Sequence, residues 1–210
     1  MTVRCVRVGL IGTNCYIVED LTGDRPFSAV IDPGDDAQFI AGALDRSPTH
    51  IILTHFHFDH IGALKALHAL FPEAEIAAGD HENTDPEHIE GIARRALGSF
   101  FDRSGLKEAI SGLPVPTILL KDGDTIGPFT VLHTPGHTDG SICLYSEKDR
   151  ILFSGDTLFR HSYGRTDLGG SEAQIMQSLR RLLHLDAQTT VYPGHDEPTT
   201  VGDEKTYFGY

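Results

Sequence analysis

The chain has 210 residues, 40% of them apolar and 22% charged, which is the composition of a folded protein long enough to bury a sizeable core and gives no sign of disorder. A formal net charge of −13 with histidines neutral repels phosphate backbones and anionic bilayers, so the expectation is no nucleic-acid partner and no membrane partner. No apolar run is long enough to span a bilayer and Met1 to Gly9 carry no secretory pattern, so the expected location is cytoplasmic, with Cys5, Cys15 and Cys143 reduced and buried in strands.

Val3 to Val8 and Cys15 to Val18 read as two strands joined through Gly9 to Asn14, and Phe27 to Ile31 as a third that ends at Asp32-Pro33-Gly34. Asp35 then opens a helix running to about Leu44. Asp32 has two readings: a turn-initiating Asp before Pro-Gly, or a support for a metal-site imidazole or a neighbouring amide. His50 to Leu53 is a short buried strand feeding Thr54-His55-Phe56-His57-Phe58-Asp59-His60, after which Ile61 to about Leu70 reads as a helix stopped at Pro72. Three imidazoles and a carboxylate between His55 and His60 are costly to hold together unless a cation binds them, the other reading being a solvated His-rich loop with no metal. In an extended turn His55 and His57 point the same way, and Asp59 and His60 come round on the next turn, so the segment can reach two ions. Glu75 to Ala78 is a further strand. From Gly79 to Pro116 the periodicity is weak, with a helix expected from Glu87 to Phe101; this segment is a candidate cover over the site, and His81 and His88 within it read as solvated histidines.

The second half repeats one device. Val131 to Thr134 leads into Pro135-Gly136-His137, Ile151 to Ser154 into Gly155-Asp156, and Thr189 to Tyr192 into Pro193-Gly194-His195: an apolar strand, a glycine that turns the backbone, then a ligand-type side chain. Together with the first cluster this makes seven ligand-type residues at strand ends, which suits a pair of ions: His55, His57 and His137 on one, Asp59, His60 and His195 on the other, with Asp156 bridging. Nitrogen and carboxylate ligands without Cys suit Zn and admit Fe or Mn.

The motifs Thr54 to His60, Gly136-His137-Thr138, Ser154-Gly155-Asp156-Thr157 and Tyr192-Pro193-Gly194-His195 resemble those of the metallo-beta-lactamase superfamily, and within it the short, single-domain glyoxalase II-like (hydroxyacylglutathione hydrolase-like) branch. The resemblance implies an α/β fold, a four-layer αββα sandwich over residues 1–210 as one domain, with the seven residues above as ligands of a dinuclear site at one sheet edge. Beta-lactamases proper commonly place a Cys where this chain has Asp156, which disfavours lactam hydrolysis. The C-terminal helical domain with which full-length glyoxalase II enzymes hold glutathione is not expected, and Glu197 stands where relatives tend to have a Tyr. Arg165 stands where they keep a basic residue for a glutathione carboxylate.

A water shared by two dications has its pKa lowered from about 16 to roughly 7, which gives a nucleophile at neutral pH without a protein base. Asp59 and Asp156 are the candidate catalytic carboxylates, Asp59 also orienting the nucleophile. His161 and Tyr163 are candidates for a general acid or for a structural role in their loop. The expected activity is zinc-dependent hydrolysis of a small-molecule thioester such as S-lactoylglutathione. The alternatives are a mono-iron persulfide dioxygenase, a lactonase and a non-catalytic metal-binding module. The oligomeric state is not readable from the sequence.

Overall fold

Strands β1 (Thr2–Val8) and β2 (Thr13–Asp20) pair antiparallel from Thr2↔Glu19 to Val8↔Thr13, so the expected opening hairpin is present, with both strands longer than their apolar runs. It begins a computed structural model that describes residues 1–22, 26–103 and 105–210, in which the chain forms two compact units, Met1–Ala78 with Asn83–Leu119 and Gly79–Glu82 with Leu120–Tyr210.

The first sheet continues through β3 (Phe27–Ile31), β4 (His50–Leu53), β5 (Glu75–Gly79) and β6 (Ile118–Leu120), in spatial order β1 to β6. Strand β3 is antiparallel to β2, whereas β4 and β5 run parallel to β3. All five residues of β3 are buried, which accounts for its unbroken apolar run. Five helices belong to this half: α1 (Ala37–Gly42), α2 (Phe58–Ile61), α3 (Leu64–Leu70), α4 (Pro86–Leu97) and α5 (Leu106–Ile110), with a 3-10 turn at Gly98–Arg103. Ile40, Ile61, Leu64, Leu67 and Ile89 from these helices meet Val30, Ile51 and Leu53 of the sheet in one core.

Two helix expectations need correction. The helix expected to start at Ile61 begins at Phe58, inside the ligand motif, and is interrupted after Ile61, because Ala63 donates its N–H to the Pro33 carbonyl at 2.9 Å. The helix expected from Glu87 to Phe101 is capped by the Asp85 side chain on the Glu87 amide and ends at Leu97, because Gly98 takes a positive φ of 56°. Its apolar stripe, Ile89, Ile92 and Ala93, is buried, so the segment is built into the first unit. Helix α5 and strand β6 are too short to give a periodic signal.

The second unit contains β7 (Thr125–Ile126), β8 (Phe129–His133), β9 (Ile142–Ser146), β10 (Ile151–Gly155), β13 (Thr190–Pro193) and β14 (Thr199–Thr200) in one sheet of order β14-β13-β10-β9-β8-β7, with a separate ribbon of β11 (Leu158–Phe159) and β12 (Ser162–Tyr163). Helix α6 (Glu172–Leu182), capped by Ser171 on the Gln174 amide, buries Ile175, Leu179 and Leu182 against Leu132, Leu152 and Val191. Helix α7 (Val201–Phe208) closes the chain. No helix among the described residues is long and apolar enough to cross a membrane.

The end of the chain is fixed by a buried carboxylate. Glu204, 0% exposed, accepts a hydrogen bond from the Thr199 hydroxyl at 2.6 Å and one from the His161 amide at 2.8 Å. Hydrogen bonds to a charged group contribute about 1.5–3 kcal/mol each. Glu204→Ala is therefore expected to lower the unfolding free energy by about 2 kcal/mol or more in urea titrations, whereas Glu73→Ala, at an exposed position, should leave the midpoint unchanged.

Candidate metal centre

In the first unit Asp32 ends β3 and Thr54 follows β4, and these strands are parallel neighbours, so both residues stand at the same sheet edge. The backbone after Thr54 is outside any helix or strand up to His57, which is extended with φ and ψ of −69° and 146°, and turns into α2 at Phe58. Phe56 and Phe58, 2% and 5% exposed, belong to the apolar core and anchor the motif between its histidines. His55, His57 and His60 are 1%, 5% and 0% exposed, with ring centroids 4.8 Å apart for His55 and His57 and 4.1 Å for His55 and His60.

Asp32 organises these rings. It is buried with a positive φ of 53°, and its carboxylate accepts the Thr54 amide at 2.8 Å, the Thr54 hydroxyl at 2.6 Å and His60 Nδ1 at 3.0 Å. The single hydroxyl proton of Thr54 goes to Asp32, so Thr54 Oγ1 accepts from His55 Nδ1, 3.1 Å away. Asp32 thereby fixes the tautomer of His60 directly and that of His55 through Thr54, leaving Nε2 of each as the nitrogen with a lone pair. Both sequence readings of Asp32 hold: it turns the chain and it supports an imidazole. His60 Nε2 lies 3.6 Å from Asp59 Oδ2, and Thr13 Oγ1 lies 3.5 Å from that same oxygen. Cys15, beside this network, has its thiol pushed well up by burial and then by the Asp32 charge, so it stays protonated and takes no part as a nucleophile. Cys143 is likewise buried, its thiol 3.5 Å from the Ser154 carbonyl, while Cys5 is exposed, contrary to expectation, because it occupies an outward position of β1.

In the second unit three strands converge on their ligands. Strands β8 and β10 are both antiparallel to β9, and β13 is parallel to β10, so the carboxyl ends of β8, β10 and β13 share one edge. His137, Asp156 and His195 follow those ends. Asp156 Oδ2 lies 3.5 Å from His137 Nε2 and 3.7 Å from His195 Nε2. Two donors on one tetrahedral ion with bonds of about 2.1 Å stand roughly 3.4 Å apart, so one carboxylate is at ligand-to-ligand spacing from two imidazoles on different strands. His137 is oriented by its Nδ1–H, which donates to the Arg165 carbonyl at 2.7 Å. Gly164 makes this possible, since a Cβ there would run into the Asp156 carbonyl and stand 2.9 Å from His137 Nδ1.

The donors in each unit are imidazole nitrogen and carboxylate oxygen, with outer hydrogen bonds made at His55, His60 and His137, a set that fits zinc or iron. Residues 8–195 match the sequence profile of the Metallo-beta-lactamase superfamily. The chain belongs to that superfamily. Among curated relatives, the hydroxyacylglutathione hydrolase GloC of Haemophilus influenzae is 32% identical over 216 residues, covering 98% of this chain and 95% of the relative. Among solved structures, TTHA1623 in a di-iron-bound form is 36% identical with a TM-score of 0.80 and covers 96% of both chains. The BLEG-1 B3 metallo-beta-lactamase is 35% identical with a TM-score of 0.76, covering 98% of this chain and 97% of that one. The mixed α/β architecture expected from the sequence is thus that of metallo-beta-lactamase structures.

Other sequence candidates in this metallo-beta-lactamase chain are placed as follows. The guanidinium of Arg165 is held by Asp167 through two contacts, Nε to Oδ1 at 2.7 Å and Nη2 to Oδ2 at 2.6 Å, and this pairing lowers the Asp167 carboxyl to about 2. The His161 ring stacks on Tyr207 at 4.5 Å, and the Tyr163 hydroxyl donates to Glu172 at 2.9 Å, so both have structural work in their loop. His81 is 64% exposed and lies 5.1 Å from the ring of His133; His88 is also exposed. The support role of Asp32 was only half visible in the sequence, and the Arg165 carbonyl not at all, because a backbone acceptor leaves no residue-type signal.

Removing an outer support of a metal-binding imidazole typically weakens metal binding about 10- to 100-fold. Asp32→Ala is expected to reduce metal retained after dialysis against a competing chelator by that factor, and Gly164→Ala to do so through His137. Asp139→Ala, at an exposed position, should retain metal as wild type does.

Proposed function

We propose that the protein is a metal-dependent hydrolase of acyl thioesters, of the kind taken by a hydroxyacylglutathione hydrolase. In this reading the two half-sites serve one dinuclear centre, with His55, His57 and His137 holding one ion, Asp59, His60 and His195 the other, and Asp156 bridging. The observation that carries it is the single Asp156 oxygen within 3.7 Å of imidazole nitrogens from two strands, the arrangement of a bridging carboxylate. The 32% identity to GloC over nearly the full chain supports the thioester, and the likeness to a di-iron structure supports two ions. Zinc is the ion proposed, with iron equally compatible with the donors.

Bound dications lower the pKa of a coordinated water to about 7, which supplies the nucleophile. The chain's own residues do the rest. Asp59, held at His60 and Thr13, orients the attacking oxygen. Asp32 and the Arg165 carbonyl keep Nε2 of His60 and His137 facing the centre. With His161 stacked and Tyr163 tied to Glu172, neither is poised to protonate a leaving group, which favours a thiolate that departs unprotonated over an amine. Arg165 is the proposed contact for a substrate carboxylate, which has to compete with Asp167 for the guanidinium.

A second reading, lactam hydrolysis, has the 35% identity to BLEG-1 behind it and Asp156, where beta-lactamases commonly place a Cys, against it. A panel of lactoylglutathione, simple acyl thioesters and beta-lactams separates the two. Elemental analysis is expected to give close to two ions per chain, and Asp156→Ala to lower metal content and turnover together; wild-type loading and turnover in that variant would remove the bridging role.

The anionic anchor has its own test. A charge-assisted contact of about 1.5–3 kcal/mol corresponds to roughly ten- to a hundredfold in binding. Arg165→Ala should raise KM for glutathione thioesters with kcat largely kept, and Asp167→Asn, which frees the guanidinium, should lower it several-fold. Unchanged KM in both variants would leave a thioesterase that does not recognise glutathione.

A further inference from the structure

The turn between β1 and β2 has an unusual composition. Loop tips are ordinarily polar, yet here Leu10 and Ile11 stand between Gly9 and Gly12, 85% and 51% exposed. The turn is firmly built: Gly9 and Gly12 adopt φ of 67° and 73°, Gly12 N–H donates to the Gly9 carbonyl at 3.3 Å, and Gly9 N–H donates to the Asp36 carboxylate at 3.0 Å. Leu10 and Ile11 are therefore presented on a fixed support.

They line a cleft with a volume of about 70 Å³, whose lining residues all belong to the first unit. The stretch 97–106 supplies Leu97, Phe100 and Leu106, with Phe100 42% exposed, and α2 supplies Phe58 and Asp59. The cleft is thus apolar along most of its lining and reaches Asp59, the residue whose carboxylate is proposed above for the metal centre. One water or methylene needs about 10–15 Å³ measured this way, so the cleft takes a chain on the order of five such groups. Among the described residues, its charged lining is Asp35 and Asp59, which repel an anionic tail.

We propose that this cleft binds the acyl chain of the substrate, and that the protein selects thioesters of short unbranched fatty acids of about six carbons over those of acetate or lactate. The proposal rests on the hydrolase reading above, because the cleft gains its meaning from reaching Asp59. The thiol portion of the substrate lies outside it.

Binding and turnover test the proposal separately. Hexanoate and acetate share a carboxylate, so the ratio of their affinities for the metal-loaded protein, measured by calorimetry, reports the chain alone. Each buried methylene contributes about three- to fourfold, and hexanoate is expected to bind at least thirtyfold tighter than acetate. Leu10→Ser and Phe100→Ser, at the exposed rim of the cleft, should each cut that ratio several-fold with the circular dichroism spectrum kept, and Leu97→Trp, which fills the cleft, should bring it close to one. In turnover, kcat/KM for acyl thioesters of one thiol should rise from acetyl to hexanoyl and level off beyond it. Hexanoate and acetate binding within twofold of one another, or a ratio untouched by all three variants, overturns the assignment. Selective hexanoate binding without any thioester turnover keeps the cleft and overturns the thioester reading instead.

Discussion

The hydrogen bonds around the Asp32 carboxylate are the constraint on which the first half-site depends. Two parallel strands, β3 and β4, end side by side, and Asp32 closes the gap between them by accepting the amide and hydroxyl of Thr54 and the Nδ1–H of His60. A buried carboxylate with three donors is well satisfied, and removing it would leave those donors buried and unmet, which is why so much local order can hang on one residue. The consequence for chemistry is that His55 and His60 do not choose their tautomers; the fold does. Preorganisation of this kind means that metal binding need not reorient the rings.

The second half-site reaches the same end by a different device. Here the support is the carbonyl of Arg165, brought against His137 by a chain that passes within contact of Asp156 at Gly164. The Arg165 side chain and its carbonyl therefore have separate duties, the carbonyl orienting a metal-site ring and the guanidinium pairing with Asp167 two residues on. Asp167 stays ionised above about pH 2, so the guanidinium meets a carboxylate at every pH at which the protein would work. A substrate anion of the kind proposed would compete for a charge that is already engaged, which leaves the apolar cleft beside Asp59 as the proposed source of selectivity.

The elements that failed to follow their sequence patterns did so where the site is built. The helix expected from Ile61 begins at Phe58 and breaks after Ile61, because the backbone there bonds to the Pro33 carbonyl, next to Asp32. The segment read as a candidate cover buries Ile89, Ile92 and Ala93 in the core of the first unit, and farther along it Leu97, Phe100 and Leu106 line the cleft beside Asp59. A helical pattern reports which face is apolar. It does not report whether that apolar face is spent on the core or on a ligand.

By itself the sequence determined the strands that carry the ligand-type residues, the grouping of His55, His57, Asp59 and His60, the strand-glycine device before His137, Asp156 and His195, and the superfamily, because these are local patterns of residue type and spacing. The tertiary structure alone decided which nitrogen of each supported ring faces the centre, that Arg165 is already paired, that His161 and Tyr163 are occupied, and that Leu10 and Ile11 meet Phe100 around one cleft. Most of these depend on partners far apart in the chain or on backbone atoms, which leave no mark on the identity of neighbouring residues; the Arg165–Asp167 pair is local, but spacing alone does not say that the two side chains engage each other.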